Sequence, residues 1–300
     1  MNERDNTNPI FSIMIPSWNN IKYLKLCVDS IRKNSSFTHQ ILIFVNEGTD
    51  GTLNWVKSEG IEHIHSAVNV GICYALNSLR SLVSSDYIVY MNDDMYACPR
   101  WDEFLWEEIS SLPDNNFFLS STMIQPSTST SKCMINGTDY GRNVEEFDEQ
   151  RLLADYDNVK CEDWKGATWP PNIIHRSLWD LVGGYSIEFS PGMYSDPDFS
   201  AKLWLAGVRY FKGVSKSRVY HFECKSTNRI KKNNGSAQFL FKYGITASTF
   251  GKYFLQSGEK FSNHDSLNIQ NKGITLNLIR ARIKRVLYLG RIFIIQKIWQ

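Results

Sequence analysis

An alternation in the first 125 residues narrows the folds open to this chain more than any other feature. Apolar runs at Phe11–Ile15, Ile41–Val45, Tyr87–Met91 and Phe117–Ile124, and an alternating stretch at Ile61–His65, take turns with segments of helical spacing. Those segments are Ile21–Lys33, a helix running through Trp55 after the turn at Asn46–Gly51, Ile72–Leu82 and Trp101–Leu112. Short apolar runs exchanged with amphipathic helices predict an α/β fold, a mostly parallel sheet flanked by helices. Ligands in such sheets bind beyond the carboxyl ends of the strands. Function is therefore expected just after Ile15, Val45 and Met91.

Downstream the pattern changes. Residues 126–163 are Ser/Thr-rich at 127–131 and acidic over 145–163, which reads as a surface excursion able to act as a lid. Helices are expected at Arg176–Val182 and near Asp198–Ala206, and short strands at Val208–Phe211 and Arg218–Phe222. A basic, Asn-rich loop over Thr227–Ser236 precedes a helical remainder.

Three loops fall where the sheet rule wants them. Pro16-Ser17-Trp18-Asn19 follows the first strand, Asn46-Glu47-Gly48-Thr49-Asp50-Gly51-Thr52 the second, and Asn92-Asp93-Asp94 the fourth. An indole can stack on a base, small polar groups can hold a ribose, and a carboxylate can hold a divalent cation against diphosphate oxygens. Neither GxGxxG nor GxxxxGK[ST] occurs, which argues against Rossmann dehydrogenases and P-loop enzymes.

In order and spacing these residues resemble glycosyltransferase family 2. The likeness rests on Pro16-Ser17-Trp18-Asn19, the acidic turn at Asn46–Thr52, Asn69-x-Gly71-x-x-x-Ala75-x-Asn77 and the end of strand four. It continues through Gly183-Gly184-Tyr185, Ser195-Asp196-Pro197-Asp198-Phe199 and His221 with Ser226-Thr227, and so covers about three quarters of the chain. The resemblance implies a GT-A fold and an inverting transfer of sugar from a nucleotide-diphosphate donor to a glycan, polysaccharide-precursor or lipid-linked acceptor. It makes Asp196 the general base. It assigns the donor to Pro16, Trp18, Asn19, Asn46, Glu47, Asp50, Asn69, Gly71, Asn77, Asn92 and Asp93, a divalent metal (Mn²⁺ or Mg²⁺) to Asp94 and His221, and the acceptor to Trp169 and Asp198. Two positions depart from the family pattern: Asn46-Glu47 stands where two Asp are usual, and Asn92 replaces the first Asp of Asp-x-Asp. Structural readings compete at several positions. Asp50 and Asp198 suit helix caps, Asp93 a loop-holding hydrogen bond, and His221 a plain structural role. Alternative functions are a sugar nucleotidyltransferase, which would need a Gly-rich loop that Ile10–Asn20 lacks, and a catalytically silent glycan-binding protein.

Charge divides the chain again. No Asp or Glu follows Asp265, whereas seven Lys and Arg do, which leaves 26 cations against 31 acids before that point. The expected organisation is a catalytic domain over 1–235, with a nucleotide-sugar half at 10–125 and an acceptor half at 126–235, then a basic amphipathic extension over 236–300. Leu276, Ile279, Ile283, Val286, Leu287 and Ile294 share one helical face, flanked by Arg280, Lys284 and Arg291, so peripheral membrane contact through 274–300 is expected. Nucleic acid is not, because the acidic body would repel phosphate. Six Cys without CxxC pairing, and a start at Met1–Pro9 unlike a signal peptide, fit a cytoplasmic protein, peripheral on the inner face of a membrane.

Overall fold

The computed structural model describes residues 9–224, 232–262, 267–270 and 273–298, with side chains of the final helix as far as 290. Strand β1 (Phe11–Trp18) leads into helix α1 (Ile21–Asn34), β2 (Gln40–Asn46), α2 (Thr52–Ser58), β3 (Glu62–Ser66), α3 (Gly71–Leu79) and β4 (Tyr87–Tyr90). Then come β5 (Met95–Ala97), α4 (Trp101–Ser111), β6 (Phe117–Gln125), β7 (Met134–Asn136), α5 (Glu149–Asp155), β8 (Trp164–Lys165) and β9 (Asn172–His175). The chain continues through α6 (Arg176–Val182), α7 (Ser195–Leu205), β10 (Tyr210–His221), α8 (Gly235–Tyr243), α9 (Ala247–Phe250) and α10 (Ile274–Ile298). One sheet runs β3-β2-β1-β4-β9-β6-β10-β5, with β7 beside β6 and β8 beside β10. Strands β1 to β4 are mutually parallel, and β6 and β10 are parallel to each other. Reversed β9 joins the two groups, pairing antiparallel with β4 and with β6. The carboxyl ends of β1, β2, β4, β6 and β10 thus share one edge, together with the start of β9.

The alternation predicted up to residue 125 is present. β1 continues through Pro16 to Trp18 because its pairing with β4 stops at Met14↔Tyr90, so only β2 borders it there. A proline is tolerated in a strand where one side lacks a ladder partner. β10 is a single strand of 12 residues, not the two short ones expected. Its polar middle misleads: Ser217 Oγ donates to Trp101 O, Ser215 N donates to Asp163, and the register shifts between Val214 and Arg218.

The 126–163 excursion is packed more firmly than its composition implies. Ile135, Tyr140 and Leu152 are buried with Tyr96, Tyr220 and Phe222 in a cluster of their own. Tyr220 accepts the Tyr140 N–H and donates to Gly141 O, and the Arg218 guanidinium donates to the carbonyls of Tyr156 and Val159. Two larger clusters line the faces of the sheet. One, around Leu24, Val28 and Trp101, lies under α1 and α4; the other, around Leu76, Trp179 and Phe199, lies under α3, α6 and α7. Phe239, Phe250, Leu255 and Leu267 belong to the second cluster, so the first part of the 236–300 extension is built into the core. α10 lies outside it. Its Ile274 and Ala281 are buried, whereas Leu276, Ile279, Ile283, Val286 and Leu287 stand 46–67% exposed.

Candidate active site

A cleft of about 550 Å³ opens at the shared strand edge. Its walls include Pro16, Trp18, Asn46, Asn69, Gly71, Asn92, Asp93, Asp94, Trp169, Asp196 and His221, all singled out from the sequence. Register explains the assembly. Trp18 pairs with Asn46 across β1 and β2, and His221 pairs with Met95, the residue after Asp94. Tyr90 pairs with Asn172, which brings Trp169 and Pro170, just ahead of reversed β9, to the same edge.

Backbone detail shapes the floor. Asn69 Oδ1 accepts the Gly71 N–H, and Asn46 Oδ1 accepts the Val70 N–H, so two asparagines fix the turn into α3. Gly71 has φ +78, and a Cβ there would lie 2.7 Å from Pro191 Cα. Only glycine fits both constraints. Asn19, Glu47, Tyr194 and Glu223 also hold positive φ near the cleft, the kind of local strain that collects at functional sites.

At one end, Asp94 and His221 meet with Oδ1 and Nε2 3.3 Å apart. Asp94 Oδ2 accepts the Cys224 N–H, and Gln125 Nε2 lies 2.8 Å from His221 Nδ1. Burial alone would raise the Asp94 carboxyl; the His221 charge and hydrogen bond, with the Cys224 N–H, outweigh it and hold that group below the usual carboxylate range. His221 is the counterpart: burial would lower its imidazole, and the Asp94 charge carries it above its ordinary value. A carboxylate and an imidazole at one point are a donor pair suited to Mn²⁺ or Mg²⁺ when diphosphate oxygens and water supply the remaining ligands. Among the described residues no cluster of three or more His, Cys, Asp and Glu forms a complete protein cage. The pair therefore fits a cation shared with a substrate better than a structural one.

Asp196, in the first turn of α7, has a different setting. It is half-buried, and among the described residues its carboxylate receives one hydrogen bond, from Tyr185 Oη at 3.3 Å. Burial pushes the carboxyl up to about 7, the Tyr185 hydroxyl opposing only in part. Tyr90 registers both acids: burial first, then the charges of Asp196 and Asp94, drive its phenol well above the usual value. The two carboxylates therefore act on one small volume.

Five sequence-predicted residues do not line the cleft. Asn19 and Glu47 staple the loops after β1 and β2: Asn19 Nδ2 donates to Glu47, and Asn19 Oδ1 accepts the Thr49 N–H. Asp50 accepts from the backbone of Ile21 and Thr52 and from the Thr52 hydroxyl, tying α1 to α2. Asp198, expected on the acceptor side, is fully buried and bonded to Tyr243 Oη and Lys242 Nζ. Asn77 is also off the cleft, clamped to the backbone of Tyr185. Sequence reasoning quoted Ser17 and Tyr185 within motifs without giving either a role, and it passed over Gln125. Ser17 Oγ is buried in the cleft wall with no hydrogen bond among the described residues, a polar group left for a ligand. Gln125 closes β6, and the strand-end rule that found the first three loops would have found it too.

The family model for glycosyl transferase family 2 matches residues 12–167, just over half of the chain. The chain belongs to that family. Among curated proteins, hyaluronan synthase of Pasteurella multocida is 24% identical over 266 residues, covering 83% of this chain and 25% of its own length. Chondroitin synthase of the same organism is 24% identical over 242 residues, 75% of this chain and 22% of that protein. The chain thus spans about a quarter of the length of these relatives. Among solved structures, GalNAc-T7 with UDP, GalNAc and Mn²⁺ aligns with TM-score 0.53 at 15% identity, over 77% of this chain and 45% of that one. TarS 1–349 of S. aureus in complex with UDP gives 0.52 at 15%, over 70% and 59%. A Pyrobaculum calidifontis mannosyltransferase with GDP-Man and Mn²⁺ gives 0.51 at 14%, over 86% and 67%. These likenesses establish the fold: the curled, mostly parallel sheet flanked by helices is of GT-A type.

Proposed function

We propose that this glycosyltransferase moves a sugar from a nucleotide-diphosphate donor to a glycan or polysaccharide-precursor acceptor by a single inverting displacement. The observation that carries the proposal is one cleft lined by two carboxylates of opposite disposition, Asp94 held anionic beside His221 and Asp196 raised to about 7. A leaving diphosphate needs its charge neutralised, and an attacking hydroxyl needs a base with a pKa near the working pH. Asp94 and His221 would hold the divalent cation, which supplies Lewis-acid stabilisation of the departing diphosphate. Asp196 accepts the acceptor hydroxyl's proton. Trp18 offers its indole to the base, while Ser17, Asn46, Asn69 and Asn92 offer polar groups to the nucleoside and sugar, and Asp93 lies beside the metal pair. Trp169, 38% exposed at the rim, is a platform for an acceptor sugar.

Solved neighbours carry UDP or GDP-Man, two of them with Mn²⁺, and the curated relatives are named as polysaccharide synthases, which supports a nucleotide sugar, a divalent metal and a glycan acceptor here. The test is a panel of UDP- and GDP-sugars assayed for Mn²⁺-dependent turnover and for binding. Turnover of one donor that stops on chelation is the expected result; no turnover and no nucleotide binding across the panel would overturn the proposal.

The same reading gives α10 a membrane-facing role. No described helix is long and apolar enough to cross a membrane. The exposed row Leu276, Ile279, Ile283, Val286 and Leu287, beside Arg280 and Lys284 in a segment without acids, suits the surface of an anionic bilayer. A peripheral position on the inner face of a membrane follows from that reading. The division into a catalytic unit over 1–235 and an extension is retained functionally, with α8 and α9 serving the core.

A further inference from the structure

Asp196 is reached from the donor side of the molecule through two residues that do not themselves line the cleft. Asn77, near the end of α3, grips the backbone of Tyr185 from both sides: its Oδ1 accepts the Tyr185 N–H at 2.8 Å and its Nδ2 donates to Tyr185 O at 2.7 Å. Gly184 makes room for this grip. A Cβ there would lie 2.3 Å from Asn77 Oδ1, and φ is +63. The Tyr185 ring is 1% exposed and held on three sides. It stacks on Phe199 of α7 at 4.6 Å and 3°, meets Tyr90 of β4 edge-on at 5.9 Å, and leans on Trp179 of α6 at 5.6 Å. From this fixed ring the hydroxyl reaches Asp196 Oδ1 at 3.3 Å. The other end of α3 is tied to the same stretch of chain, where Ile72 N donates to Pro191 O at 2.9 Å.

Resting on the reading of Asp196 as general base, we infer that Asn77 and Tyr185 form a positioning relay that aims the Asp196 carboxylate and sets its basicity from helix α3. The chemistry is that of an O–H donor to a half-buried carboxylate. It stabilises the anion, opposes desolvation and fixes which oxygen stays free to take a proton. The remaining titratable groups around Asp196 do not compete with it. Tyr90 of β4 is driven well above its ordinary value by burial, and Cys73 of α3 is pushed up to about 12, burial again being the main cause. Both are neutral near pH 7. The Tyr185 hydroxyl is therefore the polar group that keeps Asp196 from drifting higher, and the triple aromatic contact is what holds that hydroxyl in place.

The test is the pH dependence of kcat for Tyr185→Phe, at saturating donor and metal, beside wild type and Asp196→Asn. Phenylalanine keeps the packed ring and removes only the hydroxyl. The acid limb of the profile should move up by about one unit, so that kcat at pH 6 falls about tenfold while kcat at pH 9 and the donor KM stay close to wild type. Asn77→Ser, which shortens the grip, should lower kcat in the same pH-dependent way. A purely structural role predicts instead an equal loss at all pH values with a lowered Tm, and a limb that stays in place in Tyr185→Phe overturns the relay. If Asp196→Asn still transfers sugar, the base assignment itself fails. If that variant is inactive and the Tyr185→Phe limb is unmoved, only the relay fails.

Discussion

Asp94 and Asp196 line one cleft, the first buried and the second half-buried, and their carboxyl groups titrate in opposite directions. Burial acts on both in the same sense. The difference is the partner: Asp94 has the His221 imidazole and a backbone N–H, whereas Asp196 has one phenol hydroxyl. A charge at hydrogen-bond distance overturns desolvation; a neutral donor at 3.3 Å only trims it. The comparison teaches that a fold can make an anion and a carboxyl group that titrates near pH 7 from the same side chain by choosing what is placed beside it.

The comparison breaks most visibly at Asp94. Asp94→Asn removes the anionic donor of the metal pair, and donor turnover at fixed Mn²⁺ should fall roughly a hundredfold or more. Metal-dependent tightening of nucleotide binding should vanish with it in a calorimetric titration; binding that still tightens with Mn²⁺ would remove Asp94 from the site. Next is pH. A base that must be deprotonated gains activity as pH rises, so the rate should climb about tenfold per unit up to about 7 and then level. The same shift carries the opposite sign for stability. The folded carboxyl lies above its unfolded value, so this group's contribution is fully present below the unfolded value and is lost as pH rises through about 7. Asp196→Asn should accordingly melt no lower than wild type at pH 8, measured by scanning calorimetry. Gly184→Ala sharpens the structural side: the new methyl meets Asn77 Oδ1 at a backbone with φ +63, costing about 1–3 kcal/mol and several degrees in Tm. The smallest effect on catalysis is expected from removing residues 274–300. Turnover of a water-soluble acceptor should change less than twofold, while flotation with phosphatidylserine vesicles is lost; equal flotation of both proteins would remove the tail as a membrane contact.

Much of this was legible before any coordinates. Pro16, Trp18, Asn46, Asn92 and Asp94 lie at or just beyond the carboxyl ends of strands whose apolar runs are plain, so the strand-end rule alone gathers them. The strands that stayed hidden, β5, β7, β8 and β9, are two to four residues long and owe their existence to neighbours, not to any local pattern. β10 was divided because Ser215, Lys216 and Ser217 read as a polar break, although Ser215 and Ser217 are buried and bonded. Asp198 shows what helical geometry withholds from motif reading. Two residues apart on α7, Asp196 and Asp198 point to nearly opposite sides, so when one faces the cleft the other enters the core. Asn77 is similar: Gly71 at the start of α3 lines the cleft, and six residues later the helix has left it. Its partner, the backbone of Tyr185, is 108 residues away and no local signal announces it.

The central claim is that the two acids divide the labour of transfer, and Asp196→Asn tests it most directly. Binding of the donor nucleotide with Mn²⁺ and transfer to acceptor would be measured on the same preparation. The account predicts wild-type donor affinity with transfer reduced by a thousandfold or so. Loss of donor binding, or transfer within a few-fold of wild type, would contradict it.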